Sequence, residues 1–402
     1  MISSGRTRET TSLFKWLKRS YHRHPGFLVN LIAKTTFARS SKHATQIHAL
    51  LVASDFISCP VFFTKLLSLY FKCGLVEKSI CLFSSAPCSS KNVVAWTALI
   101  SQLTHVNECF KASTFFHQMR SSDACPNEYT FSAVLQACSG LRAIDIGEQV
   151  HCLTCKYGFG AYLFVGSTLI DMYSKCDKIA SSQLVFAEMR NRNLVSWNAM
   201  MVGYLQNECF YNAIRLFKDL LYEDPELLIP DEVSFSSVLS ACANSGALAY
   251  GRQVHGLAIK HDLTDLTYVK SSLLDMYCKS GMLSNAIALF KLVDLVSCNV
   301  MLAGFYMNGK HDEAVSLFCA MIGEGILPDE ASFCCALRAT GGLGVLFQGI
   351  PIHGNLIKSG FLCSVFVSAS LIMMYAACGS LTRAYQVFKE VEDRNLRLKF
   401  NG

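Results

Sequence analysis

Charge is scarce in this sequence: Asp, Glu, Lys and Arg make up 16% of its 402 residues, while 51% are hydrophobic. A chain this apolar is not disordered overall. Long apolar runs are missing too. No run of 18 residues is both uncharged and apolar throughout, Asn285, Lys291 and Asp294 interrupting one candidate, so no transmembrane helix is expected. Acid is nearly absent from the first 40 residues, which hold eight Lys/Arg and only Glu9. Of the 36 basic and 30 acidic residues, 28 and 29 therefore lie in the rest, a near-neutral body. That is not the strongly basic surface of a sequence-blind DNA binder. A second cysteine pair is also lacking. The 19 cysteines are odd in number, and Cys152 and Cys155 form an isolated Cys-x-x-Cys within an expected helix. Neither a secreted disulfide framework nor a zinc finger follows, and no metal or cofactor is expected.

The acid-poor start, "MISSGRTRETTSLFKWLKRSYHRHP", is rich in Arg/Lys and Ser/Thr. Phe14 and Leu17 can share a helical face, with Lys15, Lys18 and Arg19 elsewhere on the turn. Residues 1–24 are expected to be an organelle transit peptide, with mitochondria ahead of plastids; a plain basic tail is the alternative.

What the chain has is repetition. "VVAWTALISQL" at Val93, "LVSWNAMMVGY" at Leu194 and "LVSCNVMLAGF" at Leu295 start 101 residues apart both times. "QIHAL" at Gln46 returns as "QVHCL" at Gln149, "QVHGL" at Gln253 and "PIHGN" at Pro351. "LLSLY" ending at Tyr70 returns ending at Tyr173, Tyr277 and Tyr375. The large period thus holds three different repeats in order. A stack uses such regularity, because each repeat buries its apolar face on the next. Cysteine follows the same register: Cys138 and Cys242 share one position, and Cys73, Cys176, Ser280 and Cys378 another. A position accepting Cys or Ser is a small packing site, so reduced thiols are expected.

Each repeat reads as two helices joined by a Gly- or Asn-bearing turn. In the second helix from Leu194, Ala213, Leu216 and Phe217 fall on one face, as do Ala112, Phe115 and Phe116 before it and Ala314, Leu317 and Phe318 after it. Pro230-Asp231 and Pro328-Asp329 stop helix pairs. Repeats of 28–38 residues built this way imply an all-α, right-handed α-solenoid superhelix.

These residues resemble the pentatricopeptide repeat proteins of plant organelles, in the subclass that alternates P-, L- and S-type motifs. "LVSWNAMMVGYLQN…AIRLFKDL…IPD" is similar to the P motif. "EVSFSSVLSACANSGALAYGRQVHGLAIKHDL" is similar to the L motif, and "LFVGSTLIDMYSKCDKIASSQLVFAEMRNRN" to the S motif. The resemblance covers eleven repeats over residues 25–395, leaving 396–402 as a tail. Their expected bounds are 25–59, 60–92, 93–127, 128–162, 163–193, 194–231, 232–266, 267–294, 295–329, 330–364 and 365–395.

The resemblance implies binding of single-stranded RNA, one base per repeat. The fifth residue of each first helix and the last residue of the repeat would face a base edge. The implied pairs are Thr64 with Asn92, Thr97 with Asn127, Ser167 with Asn193, Asn198 with Asp231, Ser271 with Asp294, and Asn299 with Asp329. The family's rule implies adenine for Thr or Ser with Asn, guanine for Ser with Asp, and uracil before cytosine for Asn with Asp. From the N-terminus toward the RNA 3′ side this spells A-A-n-A-U-n-G-U-n-n, with n unread for the L repeats and for Ala369 with Asn395. The apolar second residues, Val61, Val94, Phe164, Val195, Tyr268, Val296 and Phe366, would pack base faces. Ordinary helix-start and turn chemistry is the competing explanation for each polar pair.

Such proteins specify cytidine-to-uridine editing, some with a zinc deaminase that uses His-x-Glu and Cys-x-x-Cys. No His-x-Glu is expected, since Ala49 follows His48 and Gly354 follows His353, and so no enzyme is expected. The implied partners are organellar RNA and a separate editing deaminase or editing cofactor, with no membrane. Splicing or transcript stability, and a tetratricopeptide-like protein scaffold, are the alternatives.

Overall fold

The computed structural model describes Ile32 and residues 40–53, 56–160, 162–223, 228–292 and 294–400, with 392–400 as backbone only. The transit peptide expected over 1–24 lies outside these residues. The described residues form helices and turns without a strand. By internal contacts they fall into two compact halves, Met1–Gly203 and Tyr204–Gly402.

In the N-terminal half the helices are α1 (Ser41–Ala53), α2 (Pro60–Lys72), α3 (Val76–Ser85), α4 (Val93–His105), α5 (Cys109–Arg120), α6 (Glu128–Leu141), α7 (Ile144–Lys156), α8 (Leu163–Lys175) and α9 (Ile179–Glu188). Helix α10 (Leu194–Gln206) follows. The C-terminal half continues with α11 (Phe210–Tyr222), α12 (Glu232–Ser245), α13 (Leu248–Lys260), α14 (Thr267–Lys279), α15 (Leu283–Leu289), α16 (Leu295–Met307), α17 (His311–Gly323), α18 (Glu330–Leu343), α19 (Leu346–Ser359), α20 (Val365–Ala377) and α21 (Leu381–Phe400).

Within each half the even-numbered first helices pack on one another in a row: α2, α4, α6 and α8, then α12, α14, α16, α18 and α20. Within each half, second helices α5, α7, α13, α15, α17 and α19 contact both their own first helix and the next one. The apolar stripe explains that arrangement. Ala213, Leu216 and Phe217 are buried, as are Ala112, Phe115 and Phe116, and Ala314, Leu317 and Phe318. Phe217 meets Phe235 of the next first helix with ring centroids 5.4 Å apart, and Phe318 meets Phe333 at the same distance. Removing one such ring would cost roughly 3–5 kcal/mol.

Two backbone features let the pattern close. The turn after a first helix needs a left-handed residue, supplied by Gly74, Gly281, Gly309 and Gly379, by Asn107 and Asp177, and by Glu208 at φ 57°. Close approach of adjacent first helices needs Gly304, where a Cβ would run into the sulfur of Cys278.

All 19 cysteines are free thiols. Burial pushes Cys138 and Cys242 up to about 12, and Cys278 and Cys298 up to about 11, so these four stay protonated packing groups.

Candidate nucleic-acid interface

A first helix leaves its opening backbone N–H groups unpaired, and a side-chain oxygen just before it can accept one. The last residue of six repeats does this. Asn92 Oδ1 accepts from Ala95 N–H at 3.0 Å, Asn127 from Thr130 at 3.0 Å and Asn193 from Ser196 at 3.0 Å. Asp231 accepts from Ser234 at 2.9 Å, Asp294 from Ser297 at 2.8 Å and Asp329 from Ser332 at 2.9 Å. Capping therefore consumes Oδ1 in every case. The other terminal atom is an amide donor, Nδ2, in Asn92, Asn127 and Asn193 and an acceptor, Oδ2, in Asp294; in Asp329 the Oδ2 already accepts from Asn299 Nδ2 at 3.1 Å.

The fifth residues are committed in a complementary way. Thr64 donates its hydroxyl hydrogen to the Pro60 carbonyl at 2.8 Å, Ser167 to Leu163 at 2.9 Å and Ser271 to Tyr268 at 3.1 Å. Thr130 donates to Asn127 Oδ1 at 2.8 Å, so in the 2.6 Å contact between Thr97 and Thr130 it is Thr97 that donates. All four hydroxyls thus offer only lone pairs to a ligand. In the repeat from Leu295, Asn299 Nδ2 donates to Asp329 at 3.1 Å, and Asn299 Oδ1 accepts from Ser332 Oγ at 2.6 Å. Partial burial alone would raise the Asp329 carboxyl. The hydrogen bonds from the Ser332 backbone and hydroxyl and from Asn299 outweigh it and hold the group below its ordinary range.

The second residues are large, apolar and uncovered. Val61, Val94, Phe164, Val195, Tyr268, Val296 and Phe366 are 49–77% exposed, where a packing role would bury them. Residues two and five lie on one helix face. Across α4, α6 and α8 these faces border a cavity of about 610 Å³, lined by Val94, Thr97, Asn127, Tyr129 and Phe164 among others. Tyr129 and Phe164 face each other with centroids 6.3 Å apart. A purine is flat, apolar on its faces and polar on its edge, and this cavity offers both kinds of surface.

The structure brings together Thr97 with Asn127, through Thr130, and Asn299 with Asp329 directly. Thr64, Ser167 and Ser271 are half-exposed, whereas Asn198 is buried at 9% exposure. The side chain of Asn395 is outside the described residues. Tyr129 escaped the sequence reading because its repeat was left unread; its signal was its register, second in "EYTF" as Val233 is in "EVSF". The expectation that the chain has no His-x-Glu is corrected by the triplet His311-Asp312-Glu313. It opens α17, with Asp312 and Glu313 exposed. No group of three metal-ligating side chains is found among the described residues.

The described "PPR repeat family" model matches residues 91–140 and 293–340, and the "PPR repeat" model matches 167–194, 195–224, 269–293 and 369–396. A chloroplastic pentatricopeptide repeat-containing protein of Arabidopsis thaliana is 33% identical over 336 residues, covering 83% of this chain and 54% of the relative. A mitochondrial one from the same plant is 34% identical over 355 residues, covering 88% and 39%. The chain thus spans about half the length, or less, of these relatives. Among solved structures, the maize pentatricopeptide repeat protein PPR10 superposes with a TM-score of 0.56 at 16% identity, covering 95% of this chain and 56% of that one. PPR10 in complex with an 18-nt psaJ RNA element gives 0.64 at 15% identity, covering 93% and 59%. At such identities these two likenesses speak to the fold.

Proposed function

This chain belongs to the pentatricopeptide repeat family, and from that premise we propose that it binds single-stranded RNA in sequence-specific fashion inside an organelle. The observation that carries the reading is the division of labour at the caps Asn92, Asn127, Asn193 and Asp294. Oδ1 holds the next helix, and the other terminal atom shares the opening turn with an exposed apolar residue, Val94, Tyr129, Val195 or Val296.

The atoms left over match base edges. A hydroxyl acceptor beside an amide donor, as at Thr64/Asn92, Thr97/Asn127 and Ser167/Asn193, complements the amine and ring nitrogen of adenine. Two acceptors, as at Ser271/Asp294, complement the two adjacent donors of guanine. Asn299 with Asp329 offers a donor and an acceptor, matching the carbonyl and ring N–H of uracil. PPR10 was solved with RNA, which supports the same use of this fold here.

The finer reading is membership of the P-L-S subclass, with the chain choosing transcripts for C-to-U editing by a deaminase supplied in trans. Relatives named mitochondrial and chloroplastic support an organelle, and the acid-poor residues 1–24 favour the mitochondrion. A reporter fused to residues 1–24 should enter mitochondria.

Filter binding tests the central reading. RNA containing A-A-n-A-U-n-G-U-n-n should bind at least about ten-fold more tightly than a scrambled control, given about 1 kcal/mol per satisfied polar pair. Equal binding of both, with specific capture of a protein partner instead, would favour a protein scaffold.

A further inference from the structure

The ten described first helices divide by how their opening turn is held. Six carry the Asn or Asp cap. The other four, α2, α8, α14 and α20, follow Cys59, Tyr162, Leu266 and Ser364, none of which makes a side-chain cap bond. An uncapped start leaves donors unpaired and frays.

All four uncapped helices share a second feature. Residue eleven is a tyrosine bonded to a histidine on the second helix of the preceding repeat. His48 Nδ1 lies 2.7 Å from the Tyr70 hydroxyl and His151 lies 2.9 Å from Tyr173. His255 lies 2.9 Å from Tyr277 and His353 lies 2.8 Å from Tyr375. The rings meet edge-on each time, with centroids 5.6–5.7 Å apart. Burial lowers the pKa of each histidine, which favours the neutral ring, and a single hydrogen bond joins its Nδ1 to the phenol oxygen. One of the four helices has further help: Tyr268 N–H donates to Glu232 at 3.1 Å, at the start of α14.

We propose that each His–Tyr bond is a positioning clamp that stands in for the missing cap. It fixes the helix from its last turns and so sets where Thr64, Ser167 and Ser271 face the RNA. The preceding repeat thereby buttresses its neighbour's base contact. This inference rests on the base-reading assignment made above.

The clearest test is α8, which lacks the help that Glu232 gives α14. Tyr173→Phe keeps the ring and removes the bond. In the free protein, hydrogen exchange should quicken about five- to ten-fold in the opening turns of α8 and stay unchanged in α6. In a four-base binding series, discrimination opposite Ser167/Asn193 should fall about five-fold, while that opposite Thr97/Asn127 holds. Adding a cap, Tyr162→Asp, to Tyr173→Phe should restore both readouts; glue without a positioning role would not be rescued at that distance. Exchange that is unchanged, or that rises equally in α6 and α8, or a cap that restores neither readout, would overturn the clamp. A wild type with no base preference at either position, but with the exchange pattern intact, would count against the base-reading assignment and leave the clamp on α8 standing.

Discussion

The two halves begin their capped first helices with different chemistry. In Met1–Gly203 the caps are Asn92, Asn127 and Asn193; in Tyr204–Gly402 they are Asp231, Asp294 and Asp329. The cap bond is the same in both, an Oδ1 at 2.8–3.0 Å from a backbone N–H three residues on. For folding, the exchange of Asn for Asp is close to neutral. The second terminal atom changes from donor to acceptor. On the proposed reading, fold and recognition use separate atoms of one side chain, so the recognised base can change while the helix start stays put.

The largest effect should come from removing both atoms. Asp329→Ala leaves the Ser332 N–H and the Asn299 amide without their partner. It should lower stability by about 1–2 kcal/mol in urea unfolding and erase base preference opposite that repeat. Next, Asp294→Asn should make one C-terminal repeat behave like an N-terminal one. Preference opposite Ser271 should move from guanine to adenine by about 1 kcal/mol in a four-base series, with stability shifted by only about 0.5 kcal/mol or less.

Acid separates the halves in a second way. The four clamp histidines, two in each half, have lowered pKa values because they are buried. The unfolded chain therefore takes up protons first, and both halves should lose stability as pH falls below 6.5. Asp329 is also lowered, so its contribution is present above 3.8 and is lost only below it, in the C-terminal half alone. Unfolding followed from pH 7 to pH 3 with a probe in each half checks both steps. The smallest effect is expected at the thiols: Cys152→Ser should change stability by less than about 0.5 kcal/mol, and purified protein should hold no stoichiometric zinc.

The register of the helices was legible in the sequence because Asn or Asp before an apolar run is a helix start, and Ala, Leu and Phe at helical spacing mark the buried face. The same letters made cap chemistry and base reading look like rival explanations. The folded structure shows that Oδ1 serves the cap; base reading by the remaining atom is the proposal. The His–Tyr bonds were visible as two recurring landmarks but not as a contact, since the partners are 22 residues apart on different helices. The burial of Asn198 was not legible either, because its neighbours in sequence match those of the half-exposed Asn299.

Asn127 is the place to test whether the second terminal atom of the cap chooses the base. It borders the cavity with Thr97, and its Oδ1 is held by Thr130. Affinities of wild type and Asn127→Asp for RNAs carrying each of the four bases at that position give the answer. The account predicts adenine preference in wild type and guanine preference in Asn127→Asp, with unfolding free energies nearly equal. Four equal affinities in wild type, or a substitution that shifts all four alike, would contradict it.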